Sequence, residues 1–93
     1  MIVTKPWGFE DIIFECPNYR VKRIVVNENH RTSLQYHKNK IETWFKIEDG
    51  KMVFSKHIPP LEVHRLVGYI DVIEIACGSD EDIVRLEDDY DRT

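Results

Sequence analysis

Residues 34–44 read LQYHKNKIETW: a short run of alternating side chains, a polar turn at Lys38–Lys40, and a second run that opens with Ile41. On extended chain, side chains two apart point the same way. Ser33, Gln35 and His37 therefore share one face, and Glu42, Trp44 and Lys46 share a face after the turn. With both faces turned inward, Gln35, His37 and Glu42 converge across a tight turn. His64, in PPLEVHRL (59–66), is a fourth candidate and shares its face with Glu62 and Leu66. Two imidazoles, a carboxylate and an amide oxygen make a mixed N/O donor set that suits Zn, Mn, Co, Fe or Ni without choosing among them. Spacing alone leaves a structural His/Glu pair as the alternative.

Outward from this stretch, turn signals come often: Pro6 and Gly8, Pro17-Asn18, Asn27–Asn29, Asp49-Gly50, Pro59-Pro60, Gly68 and Gly78–Asp80. The segments between them are short and rich in Val, Ile, Phe, Tyr, Trp and Thr. They predict strands over 11–16, 19–26, 32–37, 41–47, 51–55, 61–67 and 69–77. No window keeps an apolar period of 3.6, so the pattern points to an all-β sandwich or barrel. Asp49-Gly50 predicts a hairpin, because a two-residue turn needs positive φ at both central positions.

Ninety-three residues suffice for one domain, here taken as residues 1–93. The apolar share of 42% and charged share of 32% belong to a folded globular chain rather than a disordered one. A net charge of −4 argues against general nucleic-acid binding. No signal-peptide pattern and no apolar run long enough to span a bilayer is present, so the expectation is a cytoplasmic protein without membrane association. Cys16 and Cys77 form no C-x-x-C pair and read as reduced thiols. The acidic run from Ser79 to Thr93 reads as a solvated tail.

Several stretches resemble one family. Gln35-Tyr36-His37, four residues, then Glu42, followed by Gly50 and by Pro59-Pro60 and His64, is similar to the two metal-binding motifs of the cupin superfamily, with glutamine where the first histidine usually stands. That substitution resembles the type II mannose-6-phosphate isomerases, including the C-terminal domain of bifunctional isomerase/guanylyltransferases. Lys5-Pro6-Trp7-Gly8, residues 19–24, Glu42-Thr43-Trp44, His64-Arg65-Leu66 and residues 82–90 are similar to the same branch. The resemblance implies a small jelly-roll barrel with Gln35, His37, Glu42 and His64 as metal ligands. It also implies that part of the acidic tail packs on the barrel through Ile83, Val84 and Leu86.

Two departures stand out. The segment KMVFSKHIPPLEV between Gly50 and His64 is shorter than in the family by roughly one hairpin, which would open the barrel wall. Lys46 stands where the family usually has an apolar residue. Substrate-binding candidates are Lys46, Arg23 and Lys22 for a phosphate and Trp44 for a sugar ring; Trp7 and Trp44 alike have the size either to stack on a sugar or to fill the core. Alternation turns Arg65 away from the His64 face. Glu62 and His57 are the weak candidates for a catalytic base. The outward strip Thr43, Phe45, Ile47 predicts a homodimer. The resemblance thus implies a metal-dependent isomerase acting on mannose 6-phosphate and fructose 6-phosphate. The alternatives are a non-catalytic metal- or sugar-phosphate-binding module, or another cupin metalloenzyme such as an oxygenase.

Overall fold

The computed structural model describes residues 1–92 and folds almost entirely into antiparallel strands. These are β1 (Ile2–Lys5), β2 (Gly8–Glu15), β3 (Arg20–Val26), β4 (Leu34–His37), β5 (Ile41–Glu48), β6 (Lys51–Ile58), β7 (Ile70–Cys77) and β8 (Ile83–Glu87), with a single turn of 3-10 helix at Asp80–Asp82 before β8. One six-stranded sheet runs β1-β2-β3-β7-β5-β6, and β4 pairs with β8 in a second, two-stranded sheet. The fold is a small cupin-like β-barrel, as expected. Thr93, the last residue of the expected domain and of the acidic tail, lies outside the described residues. No helix among the described residues is long and apolar enough to cross a membrane.

Alternation decides the interior. On β3 the even-numbered residues Lys22, Ile24 and Val26 are buried, and on β7 Val72, Glu74 and Ala76 are. The register places Ile24 opposite Val72 and Lys22 opposite Glu74. Trp7, Ile24, Val26, Leu66 and Val72 form the apolar core, with Trp44, Ile70 and Tyr90 packed against it. Trp7 is therefore a core residue. The β5–β6 hairpin turns at Asp49 and Gly50 with φ of 52° and 72°, the positive pair its sequence calls for.

Three expectations need correction. Ile2–Lys5 forms a strand that pairs with β2, so the sheet begins earlier than the first predicted segment, and β2 itself begins at Gly8. Residues 61–67 do not form a strand. Their strand-like pairing is limited to the single bridges of Gln35 to His64 and Arg31 to Val67, because two prolines and a positive φ of 70° at Leu61 stop the chain from extending. The acidic tail is structural rather than merely solvated, since β8 lies along β4. Ile83 and Val84 are partly buried there, but Leu86 is 52% exposed and anchors nothing.

Gly8 is where β2 backs onto β3. A Cβ added there would sit 2.0 Å from the carbonyl oxygen of Val25. Gly8→Ala is expected to destabilise the fold by about 3 kcal/mol or more, since only backbone displacement relieves such a clash. A urea midpoint unchanged from wild type would contradict this packing.

Because residues 59–69 cross the barrel as a loop, the small sheet covers only part of the large one. The inner face of β5 and β6 borders an open, mainly apolar groove of about 580 Å³ lined by Trp44, Lys46, Val53, Phe54, Leu66 and Ile70. The strip Thr43, Phe45, Ile47 on the outer face of β5 is half-buried.

Candidate metal centre

His37 ends β4, Glu42 sits on β5 just past the Lys38–Lys40 turn, and His64 is bridged to Gln35 on the other side of β4. All three are buried. Glu42 Oε2 lies 3.2 Å from His37 Nε2 and 3.1 Å from His64 Nε2, and the candidate ligand atoms of the three all fall within 4.8 Å of one another. Two ligands each about 2.1 Å from one tetrahedral ion are about 3.4 Å apart, so the spacing is of the right size.

Hydrogen bonding behind the rings sets their tautomers. His64 Nδ1 is 2.8 Å from the Glu62 carbonyl, and His37 Nδ1 is 3.0 Å from Asp82 Oδ1. Both partners only accept, so each Nδ1 carries the proton and each Nε2 presents a lone pair. Glu42 Oε2, equally electron-rich, is buried without a hydrogen-bond partner. Three lone-pair atoms facing one another in a buried space repel unless a cation lies between them, so the residues present fit a divalent ion.

Gln35 completes the set. Its carboxamide Nε2 is 3.4 Å from His37 Nε2 and 3.5 Å from His64 Nε2, while its oxygen accepts from the Ser33 hydroxyl. A half-turn of the amide, which barely changes its shape, presents the oxygen to the ion and gives the NH2 to Ser33, whose hydroxyl also accepts.

A second layer of charge surrounds these donors. Lys40, the last residue of the turn, is buried with Nζ 2.7 Å from Asp80, 3.0 Å from Glu74 and 3.7 Å from Glu42. Burial lowers its pKa, but the three carboxylates outweigh burial and hold it above the usual ammonium value. Glu74 is pushed up to about 8 by burial and by Glu42 beside it, against the pull of Lys40. Asp82 is held below the ordinary carboxylate range: burial opposes this, but the amides of Asn39 and Lys40 and the His37 ring favour the anion. The same carboxylate that orients His37 thereby fixes the turn that delivers Glu42. Lys22 bridges Glu10 at 3.0 Å and Asp80 at 2.9 Å.

These groups line a cavity of about 140 Å³. Of the residues singled out in the sequence, Gln35, His37, Glu42, His64, Lys22 and Trp44 lie on its wall. The Trp44 indole N–H donates to Glu42 Oε1 at 3.2 Å. The others lie elsewhere. Arg23 projects from the outer face of β3, where it forms a fork with Asp71 at 2.9 and 3.0 Å, because alternation makes it the opposite of Lys22. Lys46 pairs with Glu48 at 3.2 Å along the open groove. His57 meets Thr43 on the outer face, Glu62 pairs with Lys56, and Arg65 pairs with Glu87. Neither candidate base lines the cavity.

Lys40, Glu74, Asp80 and Asp82 were not apparent from the sequence. Alternation does carry two of them: Lys40 stands two before Glu42, and Glu74 stands between the inward Val72 and Ala76.

A barrel of this topology, with two histidines, a glutamate and a glutamine clustered together, is a cupin-like domain with a candidate metal site. The family described as "Mannose-6-phosphate isomerase C-terminal" matches residues 1–88, and the chain belongs to it. It is 34% identical to the "Alginate biosynthesis protein AlgA" of Pseudomonas aeruginosa over 98% of its own length, and 29% identical to a "Mannose-1-phosphate guanylyltransferase" of Klebsiella pneumoniae over 97%. Each match covers 23% of the relative, so the chain spans less than a quarter of those proteins. The first alignment extends over 110 positions although the chain has 93 residues, in keeping with a segment absent here. A crystal structure of a protein from Planctomyces limnophilus shares the fold with a TM-score of 0.68 and 22% identity, covering 89% of this chain and 87% of that one.

Proposed function

We propose that this domain is a metal-dependent sugar-phosphate isomerase that interconverts mannose 6-phosphate and fructose 6-phosphate. The observation that carries the reading is the convergence of two Nε2 lone pairs and an unpartnered Glu42 oxygen, in a chain of the mannose-6-phosphate isomerase family. Gln35, His37, Glu42 and His64 hold the ion, while Asp82 and the Glu62 carbonyl keep the two imidazoles in the ligating tautomer. When bound, a divalent ion polarises the sugar carbonyl and favours loss of the neighbouring C–H proton. The proton passes between adjacent carbons on a carboxyl of the wall, where Glu10, Glu74 and Asp80 are placed and Glu62 and His57 are not. Trp44 and Lys22 stand beside the bound sugar. A cavity with room for about five waters at ~30 Å³ each admits the reacting end of the sugar and leaves the rest towards the mouth.

The open groove beside Trp44 and Leu66 favours a second reading, a binding module that keeps the ion and the sugar phosphate without turnover. One assay separates the two. Protein incubated with mannose 6-phosphate and Zn, Mn or Co in turn is expected to yield fructose 6-phosphate by NMR, and chelator is expected to stop it. Absence of conversion in folded, metal-loaded protein overturns the isomerase in favour of the module.

A further inference from the structure

The cavity wall carries more positive charge than the ion pairs inside it account for. Five cations line it: Lys5, Lys22, Lys40, Arg85 and Arg92. Lys22 and Lys40 are held by Glu10, Glu42, Glu74 and Asp80, and Arg92 grips Asp88 at 2.7 and 3.2 Å. Lys5 and Arg85 make no hydrogen bond or ion pair among the described residues, and the Arg85 Nε–H is buried without an acceptor. A buried guanidinium N–H left without a partner is costly, and the Arg85 side chain that carries it lines the cavity.

Sheet register locates this cation relative to the ion site. Arg85 stands directly opposite Gln35 across the β4–β8 pair, and Gln35 is bridged on its other side to His64. Arg85, Gln35 and His64 thus form one row across three neighbouring backbones, pointing to the same face. Arg85 is two strand spacings, roughly 10 Å, from His64. That separation is similar to the reach of an open-chain hexose phosphate from its carbonyl end to its phosphorus.

We propose that Arg85, assisted by Lys5, is the anchor for the phosphomonoester dianion of the substrate. A guanidinium offers the forked donors that match phosphate oxygens, and Lys5 adds a second charge. This assignment rests on the sugar-phosphate reading above and replaces Lys46 and Arg23, which the fold places outside the cavity. It also gives the row a polarity: the reacting end of the sugar at Gln35 and His64, the phosphate at Arg85.

Calorimetric titration of the full chain in the presence of ZnCl2 tests it, with D-mannitol 6-phosphate, D-mannitol and inorganic phosphate as probes. Mannitol 6-phosphate carries the dianion on a six-carbon chain and cannot be isomerised. It is expected to bind at least about tenfold more tightly than mannitol. Arg85→Gln is expected to erase most of that difference, Arg85→Lys to keep part of it, and Lys5→Gln to reduce it, all without changing affinity for mannitol or zinc. Inorganic phosphate is expected to bind wild type weakly and to lose binding in Arg85→Gln. Equal wild-type affinity for the two polyols overturns the proposal, as does an Arg85→Gln protein that keeps the phosphate-dependent difference. Tight binding of inorganic phosphate together with no preference between the polyols overturns it as well, by assigning the site to free anion. If Arg85→Gln fails to fold, Lys5→Gln and Arg85→Lys decide by the same difference. None of these readouts involves turnover: a protein that binds through Arg85 but does not isomerise loses the isomerase reading alone, and one that isomerises with an unchanged KM in Arg85→Gln loses this anchor alone.

Discussion

His37→Ala and His64→Ala should each weaken binding of Zn or Co by at least about a hundredfold, measured by competition with a chromophoric chelator and by loss of the visible absorption of bound Co. Removal of an outer partner of a metal-binding histidine commonly costs ten- to a hundredfold in affinity, and removal of a ligand atom itself costs more. Each ring supplies a single Nε2 to a cluster in which the only other strong donor is Glu42 Oε2, 3.1–3.2 Å away. Asp82→Asn should give the intermediate loss, because it leaves the His37 ring in place but weakens the acceptor that fixes its tautomer. Arg65→Ala and His57→Ala should leave affinity unchanged, since Arg65 reaches Glu87 and His57 reaches Thr43 away from the cavity. Retention of wild-type affinity in both histidine variants would falsify the ligand assignment. Circular dichroism of each variant separates loss of the site from loss of the fold.

Strand alternation made most of the candidate ligand set legible, and it worked because β4 and β5 flank one short turn. Gln35, His37 and Glu42 need only local geometry, namely two inward faces and the reversal at Lys38–Lys40. His64 was singled out on a strand face expected over 61–67 and again by the family resemblance; no strand forms there, and the isolated bridge to Gln35 is what brings it to the cluster. The same alternation carried Lys40 and Glu74, but a charged residue on an inward stripe reads as an exception to apolar patterning until its partner is known. Lys40 and Glu74 are 34 positions apart in sequence, and only the β5–β7 pairing brings them together. Arg85 was hidden for a stronger reason. Its role depends on β8 lying beside β4, a contact 50 residues apart in sequence, at the end of a run whose composition reads as a solvated tail. Arg23 and Lys22 show the opposite situation. Adjacent residues on a strand cannot both face inward, and the buried neighbours Ile24 and Val26 select Lys22.

The charge layer behind the ligands leads to the second large effect. Lys40→Met should destabilise the metal-free protein by about 3–5 kcal/mol near neutral pH, because it keeps the apolar stem and removes the cation that faces three carboxyl groups. The pH dependence makes the result diagnostic. In the wild type, Lys40 is held above its ordinary value, so its contribution is fully present below about pH 10.5 and is lost only as pH rises through that higher folded value. Asp80 is depressed: although burial opposes ionisation, Lys40 and Lys22 favour the anion more strongly. Its contribution is therefore present above about pH 4 and is lost as pH falls through the lower folded value. Without Lys40, Glu42, Glu74 and Asp80 lose their shared counter-charge and their folded pKa values move upward. Groups shifted that way favour the folded state below the unfolded value near 4 and lose that contribution as pH rises. The deficit of Lys40→Met relative to wild type should accordingly be present already at pH 4–5, where wild-type Asp80 contributes, and should grow as pH rises towards 8. Urea denaturation of both proteins in chelator across that range measures it, with the exposed Lys38→Met as the control that should change neither stability nor its pH dependence. A deficit independent of pH, or one below about 1 kcal/mol at pH 8, would mean that Lys40 does not neutralise this cluster and that the carboxyl groups meet their counter-charge elsewhere.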